Sequence, residues 1–289
     1  MKLPLFTGVC TAMVTPFLGD KINYAMMERL LQRQIDAGIT AVVIAGTTGE
    51  SPTLLDSEKI ELFSRCKEHV GNQCLIIAGT GSNSTQHSIE LSIAAENAGA
   101  DALLVVTPYY NKATADGIYL HYEAVCRAVS IPVIIYNVPS RTGLDVPIDV
   151  YRWLSTIPNI AGVKEANPDI TRITKIRNAC GEDFPIWAGN DDQIVPTISL
   201  GGKGVISVLS NVIPEETKAM CDAALHSDHE RASMLQCKYL PLINFLFCEV
   251  NPIPVKAFMK ELGYDCGGCR LPLCALSKNH TEAMKEFTK

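Results

Sequence analysis

No stretch of this 289-residue sequence approaches the roughly 18 uninterrupted apolar residues that a membrane-spanning helix needs. A basic excess is missing too. The 25 Lys and Arg residues are scattered and face 31 Asp and Glu, which argues against nucleic acid as a partner. The start, Met1-Lys2-Leu3-Pro4-Leu5-Phe6-Thr7-Gly8, has one cation and no unbroken apolar core, so no secretory signal is expected and the chain is expected in the cytoplasm. Charge is sparse at 19% while 47% of residues are hydrophobic, enough for a large buried core in a chain of this length.

Cysteine is not scarce. The chain has eleven, an odd number spread from Cys10 to Cys274, and they read as reduced thiols acting as small buried hydrophobes. The one cluster, Cys266-Gly-Gly-Cys269 with Cys274 beyond it, reads as a glycine turn flanked by free thiols. A zinc site needs four ligands, and neither a second cysteine pair nor any of the six histidines stands at ligand spacing. No metal is expected.

What the chain does have is a repeat. Apolar runs rich in Val, Ile, Ala and Leu recur at 8–14, 41–45, 74–78, 102–106, 132–136, 160–163, 185–188 and 204–208. Without polar alternation, they suit strands covered on both faces of a parallel sheet. Segments of helical period lie between them. One, at 24–37, places Met27, Leu30, Leu31 and Gln34 on one face and stops at Gly38. Another, at 84–98, carries Ile89, Ile93 and Ala94 and stops at Gly99. The junctions Asp36-Ala-Gly-Ile-Thr-Ala-Val-Val-Ile44 and Asn97-Ala-Gly-Ala-Asp-Ala-Leu-Leu-Val105 nearly repeat each other. Eight such units predict an α/β fold, a (β/α)8 TIM barrel. Helices are expected at 229–247, 252–262 and 276–287. The organisation is therefore a barrel over 1–225 carrying the active site, and a C-terminal helical extension over 226–289 packed on it.

In a barrel, chemistry gathers at the C-terminal ends of the strands. After the second strand, Gly46-Thr-Thr-Gly-Glu-Ser51 offers two hydroxyls and backbone amides able to approach an anion, although an ordinary capped loop reads the same way. The fifth strand ends in Tyr136-Asn-Val-Pro-Ser-Arg141. Tyr136 suits proton transfer and Arg141 a carboxylate; separately, each is also a common core tyrosine or surface arginine. The sixth strand, Ile160-Ala-Gly-Val-Lys164-Glu165, drives a lysine to the end of an apolar run. Burial disfavours the charged ammonium and favours the neutral amine that attacks a carbonyl. The alternative is a structural ion pair, with Glu165 the nearest candidate.

These segments, with Thr107-Pro-Tyr-Tyr110, Ala188-Gly-Asn-Asp191, Gly204-Val-Ile-Ser-Val208 and Arg270-Leu-Pro-Leu273, resemble the pyruvate-dependent class I aldolase family of N-acetylneuraminate lyase and dihydrodipicolinate synthase over nearly the whole chain. Arg141, the Thr47-Thr48 pair and the Tyr109-Tyr110 pair look like the synthase branch, whose second substrate carries a carboxylate. The alternative is a sialate or keto-deoxy-sugar lyase. The resemblance implies that Lys164 forms a Schiff base with pyruvate and that the enamine attacks L-aspartate 4-semialdehyde, in diaminopimelate and lysine biosynthesis. It implies a proton relay of Tyr136, Thr47 and Tyr110, with Tyr110 reaching in from a neighbouring subunit. Thr48 would hold the pyruvate carboxylate, Arg141 that of the semialdehyde, and Gly189 and Ile206 would line the site. No cofactor is implied, and the assembly would be a homotetramer, a dimer of dimers. In members inhibited by lysine, residues matching Ser51, Asn83 and Tyr109 line the inhibitor site, and the position matching His87 is typically acidic. With His87 and Lys59 here, weak inhibition or none is expected.

Overall fold

The computed structural model describes residues 3–287. Met1 and Lys2, the first residues of the segment expected to lack a secretory signal, lie outside the described residues, as do Thr288 and Lys289. Eight parallel strands close into a barrel: β1 (Gly8–Ala12), β2 (Ala41–Ile44), β3 (Leu75–Gly79), β4 (Ala102–Val106), β5 (Val133–Asn137), β6 (Ile160–Glu165), β7 (Ile186–Ala188) and β8 (Gly204–Ser207). Each strand pairs with its neighbours in sequence, and β8 closes on β1 with Gly8 opposite Gly204. Every residue of β1, β2, β5, β7 and β8 is buried. One side fills the barrel and the other meets the helices, which is why the runs show no polar alternation.

The helices α1 (Tyr24–Asp36), α2 (Asp56–Val70), α3 (Thr85–Asn97), α4 (Ala115–Ala128), α5 (Pro139–Thr142), α6 (Ile148–Ser155), α7 (Thr171–Cys180), α8 (Ile194–Ser199) and α9 (Pro214–Leu225) connect the strands in order. Side chains start several of them. The Asn23 oxygen accepts from the Met26 amide at α1, and the Ser84 and Thr114 oxygens do the same for His87 and Gly117 at α3 and α4. The buried face of α1 is Met27, Leu30, Leu31 and Gln34, as the period predicts. Gln34 is tolerated there because it accepts from Thr11 Oγ1 at 2.7 Å and donates to the Ser210 carbonyl at 3.1 Å.

The face expected for the third helix is corrected. α3 buries Ser88, Leu91, Ser92 and Ala95, leaving Ile89 half-buried and Ile93 39% exposed. The serines go inside because each finds a partner: Ser92 donates to Thr80 Oγ1 at 2.9 Å, and Ser88 Oγ accepts from the Ser82 amide at 2.8 Å. Hydrogen bonding to the loop after β3 overrides the apolar pattern. A small hairpin, Phe17–Leu18 with Lys21–Ile22, was not anticipated by the repeat.

At the barrel's N-terminal end, Phe6 stacks on Trp187 with centroids 4.7 Å apart, and the indole donates to the Phe6 carbonyl at 3.2 Å. This closes the bottom and leaves the other end open. The last helices, α10 (His229–Leu246), α11 (Ile253–Glu261) and α12 (Lys278–Met284), contribute Leu246, Phe258, Met259 and Met284 to the same core that joins barrel and helices. No helix among the described residues is long and apolar enough to cross a membrane.

Candidate active site

The end of β6 sets the site. Gly162 has φ of +144° and a Cβ there would lie 2.3 Å from the Pro185 carbonyl oxygen, so only glycine lets β6 and β7 approach at this point. Two residues on, Lys164 is 5% exposed and sits directly across from Tyr136 in the β5–β6 register. Its Nζ lies 4.4 Å from the centroid of the Tyr136 ring, over the negative face that attracts a cation. The ion pair with Glu165 is not formed, because alternation along the strand sends Glu165 to the opposite side. There its Oε1 accepts from Asn137 Nδ2 at 2.7 Å and from the Asn167 amide at 2.9 Å, and its Oε2 from the Tyr151 hydroxyl at 2.9 Å. Burial pushes the Glu165 carboxyl above its usual range, with Arg172 and these donors working against that. Lys164 is left facing the cavity.

The loop after β2 carries Thr47 and Thr48 and is tied to the C-terminal extension. Glu50 holds the left-handed conformation with φ of +59° and is fully buried. Its Oε1 accepts from Lys256 Nζ of α11 at 2.8 Å, and its Oε2 from the Arg270 amide at 2.8 Å. Lys256 also donates to the Thr15 and Gly268 carbonyls at 3.0 and 2.7 Å and lies over the Phe17 ring, so the buried ammonium is fully served. Breaking such a pair from one side costs roughly 3–5 kcal/mol. Thr48 itself accepts from Asn251 Nδ2 at 3.0 Å. Asn251 and Lys256 were not singled out in the sequence. Lys256 carries the signal that exposed Lys164, a cation on an otherwise apolar face, but helical spacing spreads it among Ile253, Val255, Phe258 and Met259.

Two cavities open above the barrel and share Thr47, Tyr136 and Arg141. The smaller, of about 120 Å³, reaches Lys164, Thr48, Gly189 and Asn251. The larger, of about 560 Å³, runs out to Ser51, Lys59, Asn83, His87 and Tyr109. Arg141 on α5 is exposed at their junction and supplies positive charge to a chain that is acidic overall. Gly189 donates its amide to the Glu165 carbonyl at 2.7 Å, and a Cβ there would meet that of Ala166 at 2.5 Å. Two expected residues stand apart. Ile206 is fully buried inside the barrel, and the lining of the smaller cavity takes Val208 instead. Tyr110 lines neither cavity of its own chain; it is 90% exposed, with φ of +70°.

Asp191 couples the β7 and β8 ends. Its Oδ2 accepts from the Val208 and Leu209 amides at 3.0 and 2.9 Å. Burial raises its carboxyl above the ordinary value, against hydrogen bonds from Ser207 and these amides and the charge of Lys164. Of the eleven cysteines, six are buried, among them Cys10, whose thiol burial pushes upward; Cys237 and Cys274 are exposed.

Residues 5–289 match the model of the dihydrodipicolinate synthetase family. The chain is 43% identical over 285 residues to the 4-hydroxy-tetrahydrodipicolinate synthase of Clostridium perfringens, covering 99% of this chain and 98% of that one. To the enzyme of the same name from Acetivibrio thermocellus it is 44% identical, covering 100% and 98%. Among solved structures it is similar to the dihydrodipicolinate synthase of Acinetobacter baumannii complexed with pyruvate, with a TM-score of 0.95, 40% identity and 97% of each chain covered.

Proposed function

The chain belongs to the dihydrodipicolinate synthetase family and has the activity of a 4-hydroxy-tetrahydrodipicolinate synthase, and we propose that it works through a Schiff base on Lys164. The observation that carries this reading is the placement of the Lys164 amine, buried and without a carboxylate partner among the described residues, at the floor of a small cavity against Tyr136.

Lys164 Nζ adds to the ketone carbon of pyruvate, and loss of water leaves a protonated imine. That imine takes up the electron pair released when a methyl proton departs, giving an enamine. The enamine carbon forms a bond to the aldehyde carbon of L-aspartate 4-semialdehyde, whose oxygen is protonated to the hydroxyl. The semialdehyde's own amine then adds to the imine carbon, closes the ring and expels Lys164. Thr47 and Tyr136, which both line the two cavities, with the partner subunit's Tyr110, pass the protons. Thr48 receives the pyruvate carboxylate, and Arg141, at the mouth, that of the semialdehyde. Gly189 lines the smaller cavity, where Val208 takes the place expected for Ile206, whose side chain is sealed in the barrel. The exposed Tyr110 fits a cytoplasmic homotetramer, a dimer of dimers, whose subunits complete each other's sites.

A coupled assay offering the protein pyruvate with either L-aspartate 4-semialdehyde or N-acetylmannosamine tests the assignment. Turnover with the semialdehyde alone is expected. Equal or better turnover with the sugar would contradict it and the role given to Arg141.

A further inference from the structure

We infer that Asn251, supplied by the C-terminal extension, is a positioning residue that fixes the Thr48 hydroxyl as the donor to the pyruvate carboxylate; this rests on the function proposed above. Asn251 is 4% exposed, lines the same small cavity as Lys164, and its Nδ2 donates to Thr48 Oγ1 at 3.0 Å. A hydroxyl has one proton and two lone pairs. Because Asn251 donates to it, Thr48 spends a lone pair on the amide and keeps its proton. Among the described residues that proton has no acceptor, so the ligand provides one. An accepting residue at 251 would do the reverse, claiming the proton and turning lone pairs toward a carboxylate.

The other end of the amide supports the assignment. Asn251 Oδ1 is buried and has no hydrogen-bond partner among the described residues. Buried amides that serve only the fold are ordinarily paired at both ends. Among the described residues this one is engaged through Thr48 alone. Its backbone is also well anchored, since α11 begins two residues later and is pinned through Lys256 to Glu50, on the same loop as Thr48. Both partners of the Thr48–Asn251 contact are thus fixed from below by one buried ion pair. The turn between α10 and α11 thereby builds part of the carboxylate site.

The test is a double-mutant cycle on pyruvate binding. Wild type, Asn251→Ala, Thr48→Val and the double variant are titrated with pyruvate, trapped with borohydride, and the Lys164 adduct is quantified by mass spectrometry. Each single variant is expected to raise half-saturating pyruvate about tenfold, the worth of a hydrogen bond to a charged group. The double variant should be no worse than Thr48→Val alone. In Asn251→Ala the change should fall on pyruvate saturation, by far more than on kcat or on the KM for the semialdehyde. Losses that multiply, or a fall in kcat with pyruvate affinity intact, would overturn the positioning role. If the alanine variant does not fold, Asn251→Ser carries the same cycle. No adduct in wild type would instead overturn the Schiff-base reading itself, so the two failures are distinguishable.

Discussion

Lys164 and Tyr136 are register partners across β5 and β6, with the lysine nitrogen 4.4 Å from the centre of the tyrosine ring. The pairing places the lysine proposed to form the Schiff base and the tyrosine proposed for the relay on one pair of adjacent strands. Tyr136→Phe keeps the ring that packs on Lys164 and removes only the hydroxyl. The pyruvate adduct should still form, while turnover falls by roughly 10²–10⁴, the usual contribution of a positioned proton donor. Steady-state rates near wild type would remove Tyr136 from the relay.

Tyr110 sits on the outside of its own subunit in a backbone conformation that non-glycine residues seldom adopt. If it serves a neighbour's site, Tyr110→Phe and Lys164→Ala chains are each nearly inactive alone and complement each other when mixed. A mixed pair has one site with both Lys164 and Tyr110. Activity that rises on subunit exchange is the expected outcome, and no gain after exchange would place Tyr110 outside the reaction.

Lysine should inhibit weakly or not at all. In the outer part of the larger cavity, His87 Nε2 is 2.7 Å from Asp56 Oδ2, and Lys59 Nζ is 3.4 Å from Oδ1. Burial works against the Asp56 charge, but the His87 hydrogen bond and the Lys59 charge outweigh it and hold the carboxyl below its usual value. Among the described residues, Asp56 is the one acidic group lining this cavity, and it is already engaged by two bases, leaving little to attract another ammonium. Millimolar lysine is expected to leave the rate nearly unchanged, and His87→Glu to make the enzyme sensitive. Clear inhibition of the wild type would contradict this.

Legibility in the sequence followed periodicity and charge placement. The barrel strands announced themselves because burial on both faces leaves uninterrupted apolar runs. Lys164 was legible for the complementary reason, as a cation ending such a run. The buried face of α3 was not, since Ser88 and Ser92 are inside only through partners on a distant loop. Asn251 and Thr48 meet across 203 positions of chain, a contact that no local pattern encodes. Tyr110 was identified by resemblance alone, and its own chain leaves it outside the cavity.

His121 makes stability depend on pH. It is 3% exposed, with Nδ1 2.9 Å from Thr85 Oγ1, and burial lowers its pKa from 6.5 to about 4. Between those values the unfolded chain holds the extra proton, so stability is present above pH 6.5 and drains away as pH falls toward 4. The loss is on the order of 2–3 kcal/mol. Denaturation midpoints measured over that range should fall less steeply in His121→Gln. An identical slope in the variant would assign the acid sensitivity elsewhere.

The most direct test of the central claim is borohydride reduction in the presence of pyruvate, with peptide mass spectrometry on wild type and Lys164→Ala. A reduced pyruvyl adduct on Lys164 in wild type and none in the variant is the expected result. An adduct on another lysine, or no adduct on folded wild-type protein, would contradict it.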